Sequence, residues 1–154
     1  MNGPQDLDAI ARKILDSNLY MTLGTADGDG RPWVSPVYYA AEGYKEFHWV
    51  SSPEATHSRN LATRQEISIV IFNSQTPINT GQAVYMAAVG EELTGSELVR
   101  GIVIFSRRSQ ASGAGEWNRD DVLPPARLRL YRATVSEHWI LDPAGPDQRM
   151  TVTP

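Results

Sequence analysis

The chain has no cysteine among its 154 residues, which excludes disulfides, thiolate-held zinc, iron–sulfur clusters and a thiol nucleophile. Histidine occurs only at positions 48, 57 and 138. None of them forms an HExxH or HxH pair, so a zinc or non-haem iron site would have to be assembled from distant residues. There is no GxSxG elbow and no GxxxxGK[ST] loop, and GAGEWN (113–118) lacks the third glycine and preceding strand of a dinucleotide fingerprint. No apolar run approaches the ~20 residues of a membrane span, and MNGPQDLDAI lacks the basic flank and apolar centre of a secretory signal. The expectation is a soluble protein compatible with the reducing cytoplasm. A net charge of −4 disfavours general nucleic-acid binding. With the usual catalytic motifs missing, chemistry on this chain would belong to a bound cofactor acting on a small molecule.

What is present fits one domain over residues 1–154, with an ordered core at 5–143 and an irregular tail at 144–154. Asp6 precedes Leu7, Ile10, Ala11, Ile14 and Leu15, the stripe of an amphipathic helix with an aspartate cap, ending near Asn18. Leu19–Thr25 alternates as a strand, ADGDGRP (26–32) has turn chemistry, and a second strand runs from Trp33 to about Ala40. A turn at Glu42–Gly43 leads into a third strand, Glu46–Ser51, and the three read as an antiparallel meander.

Ile67–Phe72 is almost wholly apolar and reads as a central strand covered on both faces. A polar loop, 73–81, and a strand, Gln82–Val89, follow. TGSE (94–97) fits a capping box for a helix over Gly95–Arg108, with Leu98, Ile102, Phe105 and Val99 on its apolar side. Residues 109–116 read as a loop, Pro124 and Pro125 stop any helix in WNRDDV, and 127–142 is one strand or two separated near Ser136. Trp49 and Trp139 are read as core residues. The whole is α+β, mainly β: a six- or seven-stranded antiparallel barrel with flanking helices, closure removing the exposed edges.

Two segments invite an anion. Residues 100–132 hold seven arginines against three acids, a locally basic stretch in an acidic protein. WVSSPEATHSRNL (49–61) packs hydroxyls, an imidazole and a guanidinium where a strand ends and a helix begins. With Ser52 as cap, Pro53 sits harmlessly at the first helical position and no ligand is needed. With Thr56 as cap, the amides of Ser58 and Arg59 are free to hold a phosphate. Local physics leaves both open.

The ordered series LYMTLGT, GRPWVSPVYYA, FHWVSS, THSRNL, ISIVIF, GQAVYMAAVGEEL and RLYRATVSEHWILDP resembles the pyridoxamine 5'-phosphate oxidase-like family of FMN-binding split barrels. The resemblance covers about Leu7–Pro143. It implies a split barrel in a homodimer, with an FMN at the subunit interface. Ser51, Ser52, His57, Ser58 and Arg59 would neighbour the phosphate; Ser35, Pro36, Val37 and Val50 the ring or ribityl chain; and Gln82 the flavin, from one subunit or the other. Many relatives carry a lysine where this chain has His57, and a neutral imidazole offers a phosphate less charge. The implied activity is that of an FMN-dependent oxidoreductase. The alternatives are a deazaflavin (F420) reductase, whose acidic cofactor tail would suit the arginine-rich segment, and a non-catalytic flavin- or haem-binding stress-related protein. The HWILDP segment does not carry the arginine and histidine pattern of pyridoxamine phosphate oxidation itself.

Overall fold

The computed structural model describes residues 5–154; the reading of the N-terminal decapeptide as non-secretory therefore begins on residues outside those described. The first helix, α1 (Leu7–Ser17), starts as its sequence predicts, with the Ala9 amide donating to Asp6 Oδ1 at 3.0 Å. Strands β1 (Tyr20–Ala26) and β2 (Pro32–Tyr38) form a hairpin through the aspartate–glycine turn, where Gly30 takes φ +84°. Asp27 organises that turn by accepting from the amides of Asp29 and Arg31, and these bonds hold its carboxyl below the usual range.

The expected three-stranded meander is not formed. The chain breaks at Tyr39, whose amide donates to Leu19 O and whose hydroxyl donates to Leu15 O at 2.6 Å. Beyond that residue β3 (Ala40–Glu42) pairs with β4 (Glu46–Ser51), at the opposite edge of the sheet from β2. The order β2-β1-β5-β6-β7-β4-β3 therefore begins and ends on strands that are consecutive in sequence. A sheet curled this way is a split barrel, with Tyr39 at the seam.

Helix α2 (Thr56–Thr63) leads into β5 (Glu66–Phe72) and β6 (Ala83–Glu92). β5 is central in the pairing, between β1 and β6, but only one of its faces is covered. Ile67, Ile69 and Ile71 point into the barrel while Ser68, Val70 and Phe72 point out, Phe72 being 48% exposed. The strand therefore alternates, with its apolar outer residues Val70 and Phe72 partly exposed among the described residues.

Helix α3 (Gly95–Ala111) runs three residues beyond its expected end, so the loop after it is shorter than predicted. Thr94 makes no side-chain cap, and Glu97 does not turn back to it; its carboxylate bonds to Arg132 and Arg100 instead. Ion pairing with two guanidiniums outcompetes a single amide here. Leu98, Ile102 and Phe105 are buried as expected, but Val99 lies on the outer side, half exposed. WNRDDV contains one 3-10 turn, Arg119–Val122, with a reciprocal capping box between Asn118 and Asp121, and it stops short of the prolines.

β7 (Arg129–Leu141) is a single strand. Its register against β6 slips between Ala87 and Ala88, so Ser136 is the extra residue of a β-bulge and its hydroxyl donates to Ala87 O. The expected division at Ser136 is thus a kink within one strand. The chain after Pro143 is not merely a tail: β8 (Arg149–Val152) pairs with β7 and buries Val152. Trp49 is core, stacked on Tyr131 at 5.6 Å, whereas Trp139 faces outward because its neighbours His138 and Ile140 take the inward positions.

Two cores result. One fills the barrel, with Met21, Leu23, Phe47, Trp49, Ile69 and Met86 among its members. The other lies between α3 and the outer side of β3, β4 and β7, around Leu98, Ile102, Phe105 and Leu130. No helix among the described residues is long and apolar enough to cross a membrane.

Candidate functional site

Helix α2 sits against one end of the barrel, touching β1 and β2. Leu61 enters the barrel core, and Asn60 Nδ2 donates at 3.0 Å to Thr25 Oγ1, which itself donates to Trp33 O. These bonds fix the start of the helix beside the ends of β2 and β4. The helix begins at Thr56 with Ala55 as its N-cap, so neither serine nor threonine caps it. Ser52 instead closes a local turn, its hydroxyl accepting from the Glu54 amide at 3.1 Å.

The first bond of the helix ladder is Arg59 N to Ala55 O, leaving the amides of Thr56, His57 and Ser58 without protein acceptors. The other helices oppose their positive ends with acids: Asp6 and Asp8 in α1, Glu97 in α3, Asp120 and Asp121 in the 3-10 turn. Only α2, among the described helices, has neither a side-chain cap nor an acid in its first turn.

Around that end the structure gathers most of the residues expected at a phosphate. His57 is 7% exposed and its Nε2 lies 2.9 Å from Ser51 Oγ. Burial pushes the imidazole below its ordinary range, so it is neutral near pH 7. Ser58 Oγ is buried with no partner in hydrogen-bonding geometry, yet it lies close enough to the Tyr131 phenol for a weak hydrogen bond to lower that pKa, against the larger upward effect of burial. Arg59 points to solvent and is paired with Glu54 at 2.5 Å. Glu54 thus competes for the guanidinium that a phosphate would need.

The remaining expected residues divide by strand parity. On β2, Ser35 and Val37 lie opposite Leu23 and Met21 on the barrel side, while Pro36 is exposed on the outer face. Val37 is buried in the core, so its side chain does not face a ligand. Val50 packs outward, against the α3 cluster. Gln82 lies at the start of β6 and is spent within the chain. Its Nε2 donates to Leu141 O at 2.8 Å and its Oε1 accepts from the Leu141 amide at 2.9 Å, tying β6 to β7.

One residue not singled out for the phosphate is Arg129, the ladder partner of Ser51. It is half buried and donates to the carbonyls of Ala126 and Leu128. Its signal in the sequence was only membership of the arginine-rich segment. Four of that segment's seven arginines are engaged within the chain, while Arg107, Arg119 and Arg127 are exposed. Arg100 bonds to Glu46 and Glu97, Arg132 to Glu91 and Glu97, and Arg108 to the carbonyls of Asp16 and Asn18.

Solved structures share this fold. A haem-binding protein from Mycobacterium smegmatis is 24% identical with a TM-score of 0.73, matching 98% of this chain and 60% of that protein's length. The haem storage protein HutZ from Vibrio cholerae is 20% identical, TM-score 0.67, over 86% of this chain and 92% of its own. An F420 reductase is 13% identical, TM-score 0.61, over 88% and 98%. At these identities the likeness establishes the fold alone. No curated protein matches. The family described as pyridoxamine 5'-phosphate oxidase matches residues 7–139. With its series of strands, the uncapped helix at the barrel end and that match over most of its length, the chain belongs to the pyridoxamine 5'-phosphate oxidase family.

Proposed function

We propose that the protein binds FMN and serves as a flavin-dependent oxidoreductase for a small organic substrate, as a homodimer. The observation that carries this reading is the start of α2. It combines three unpaired amides, no acid in the first turn, and an unpartnered hydroxyl at Ser58. A dianionic phosphate meets each of those needs. Ser51, Ser52, His57 and Ser58 would surround it, with Arg59 joining on release from Glu54. Bound FMN supplies the redox chemistry; the chain binds, orients and screens it.

The outer sheet face supports the dimer. Tyr20, Val34, Phe72 and Val89 stand exposed on strands that are adjacent in the sheet, an apolar face of the kind that marks an interface. A twin subunit on this face would bury Val34, Phe72 and Val89 and leave Tyr20 at its margin.

The neighbours' names raise two other cofactors. For F420, Arg100, Arg108, Arg129 and Arg132 are occupied internally, while Arg107, Arg119 and Arg127 stay exposed to meet an acidic tail; competition between FMN and F420, followed by fluorescence, separates the two. For haem, no imidazole nitrogen stands free: His57 Nε2 faces Ser51 Oγ, His138 Nε2 faces Tyr44 O, and His48 is fully buried beneath α3. The test is the absorption spectrum and solution mass of the purified protein, followed by FMN titration. A flavin band with a mass of two chains is expected. Failure to bind FMN at micromolar concentration, or a haem band in its place, refutes the proposal.

A further inference from the structure

Where α3 meets the outer edge of β1 and β2, a cleft of about 380 Å³ opens, within the size range of small-molecule sites. Its aromatic wall is continuous. Tyr20 meets Tyr38 edge to face at 6.2 Å, Tyr38 meets Phe105 at 5.7 Å, and Phe105 meets Trp117 at 5.5 Å. Each ring is turned between 74° and 80° from the next, so the wall is a chain of edge-to-face contacts against which a further ring could pack.

The facing wall is held rigid by hydrogen bonds. Ser109 Oγ donates to Gly115 O at 2.7 Å, the Ala114 amide donates to Ser109 O, and the Trp117 amide donates to Ser106 Oγ at 2.9 Å. At the rim Tyr38 and Ser112 pair their hydroxyls at 2.9 Å. Those two can offer a ligand one donor or acceptor.

Every residue that lines the cleft is uncharged. Arg108, on the same helix, is turned away, its Nη2 donating to Asp16 O and Asn18 O, and Arg129, next to the lining residue Leu128, donates to the carbonyls of Ala126 and Leu128. An anion seated against the lining itself would meet no charged group there.

We infer that this cleft recognises a neutral, planar aromatic molecule, and that the substrate of the flavin reaction belongs to that class. The second half rests on the FMN reading; the first does not. The two places are joined by Val50, which lines the cleft, and by Tyr38, two residues beyond Pro36 on the same face of β2.

The experiment compares 2-naphthol with 2-naphthalenesulfonate by titration calorimetry, on protein with and without FMN. The two probes share a ring system and differ by a full negative charge at neutral pH. Naphthol is expected to bind about tenfold or more tightly than the sulfonate. Ser112→Arg, at an exposed rim position, is expected to shift that ratio by about tenfold toward the sulfonate. Ala114→Trp, which obstructs the mouth, should abolish binding of both while leaving the circular dichroism spectrum unchanged. Equal or tighter binding of the sulfonate to the native protein, no binding of naphthol, or a ratio indifferent to Ser112→Arg overturns the inference. Flavin binding in the same samples separates the two readings. FMN without naphthol overturns the cleft alone. Naphthol without FMN upholds the cleft and overturns its assignment to a flavin substrate.

Discussion

Acid should unfold this protein sooner than its acidic composition suggests, and a bound flavin should delay that. His48, His57 and His138 are 0%, 7% and 8% exposed, and burial is the leading cause that lowers the pKa of each. In the unfolded chain they titrate near the ordinary 6.5. Below that pH the unfolded state binds protons that the folded state refuses, so stability falls as pH falls. Their contribution is fully present above 6.5 and is lost on descending toward the depressed folded values. Each histidine that stays neutral in the fold adds a slope of at most about 1.4 kcal/mol per pH unit, and three add about 4. Against the roughly 5–15 kcal/mol that holds a domain of this size, that is a large share.

Urea denaturation at pH 7.5, 6.5 and 5.5 measures the slope directly, from midpoints at constant m. His138→Gln keeps a donor for Tyr44 O, now met by Nε2 at 2.7 Å, and removes one titration; the slope should drop by up to about 1.4 kcal/mol per pH unit. A phosphate beside His57 would raise that imidazole's pKa against the effect of burial. FMN-loaded protein should therefore show a shallower slope than flavin-free protein, by up to one histidine's worth, and the difference should vanish in His57→Gln. A midpoint independent of pH across this range, or the same slope in His138→Gln, would refute the reasoning.

Three further outcomes are expected. Glu54→Gln frees Arg59 from an exposed pair that contributes about 0–1 kcal/mol to the fold; FMN affinity should rise up to about fivefold in a fluorescence titration, with the thermal midpoint nearly unchanged. Gly101→Ala places a methyl 2.8 Å from Leu93 Cδ1, 3.0 Å from His48 Cδ2 and 3.1 Å from Leu130 Cδ2. Overpacking of about 1–3 kcal/mol then outweighs the ~1 kcal/mol gain in helix propensity, and urea midpoints should fall. Val34→Glu, at a position 69% exposed in the subunit, should leave the circular dichroism spectrum intact and halve the mass seen by light scattering.

Much of the architecture was legible because local signals and global fold agree. The Asp6 cap, the aspartate–glycine hairpin and the alternation of β1 each recur in the structure as read. What was missed depends on partners distant in sequence. Glu97 reads as a capping-box acid until Arg132 arrives from β7. The break at Tyr39 follows from its bonds to Leu19 and Leu15, which no window around residues 33–40 contains. Arg149–Val152 has too few residues to announce a strand, and pairs only because β7 offers it a free edge. The apolarity of Ile67–Phe72 suggested burial on both faces, whereas its outer residues Val70 and Phe72 are partly exposed.

The candidate site shows the reverse relation. His57, Ser58 and the serines were visible from the resemblance, and the structure gathers Ser51, His57 and Ser58 about one helix end. Yet the local rules that govern the other helices are broken there. A start with no cap, no acid in the first turn and a buried hydroxyl without a partner forgoes stabilisation that one Ser, Asp or Asn at position 55 would supply, typically ~1 kcal/mol. Elsewhere even a four-residue 3-10 turn has a full capping box. Helix α3 also lacks a side-chain cap but carries Glu97, so the combination of no cap, no acid and an unpartnered hydroxyl belongs to α2 alone among the described helices, where the proposed function puts the phosphate. Ala55→Asp therefore separates stability from phosphate binding. It should raise the unfolding midpoint of the flavin-free protein and, by setting a carboxylate where the phosphate belongs, weaken FMN binding by tenfold or more, roughly the repulsion of two close charges at a partly screened site. A variant that gained stability and bound FMN as before would place the phosphate elsewhere.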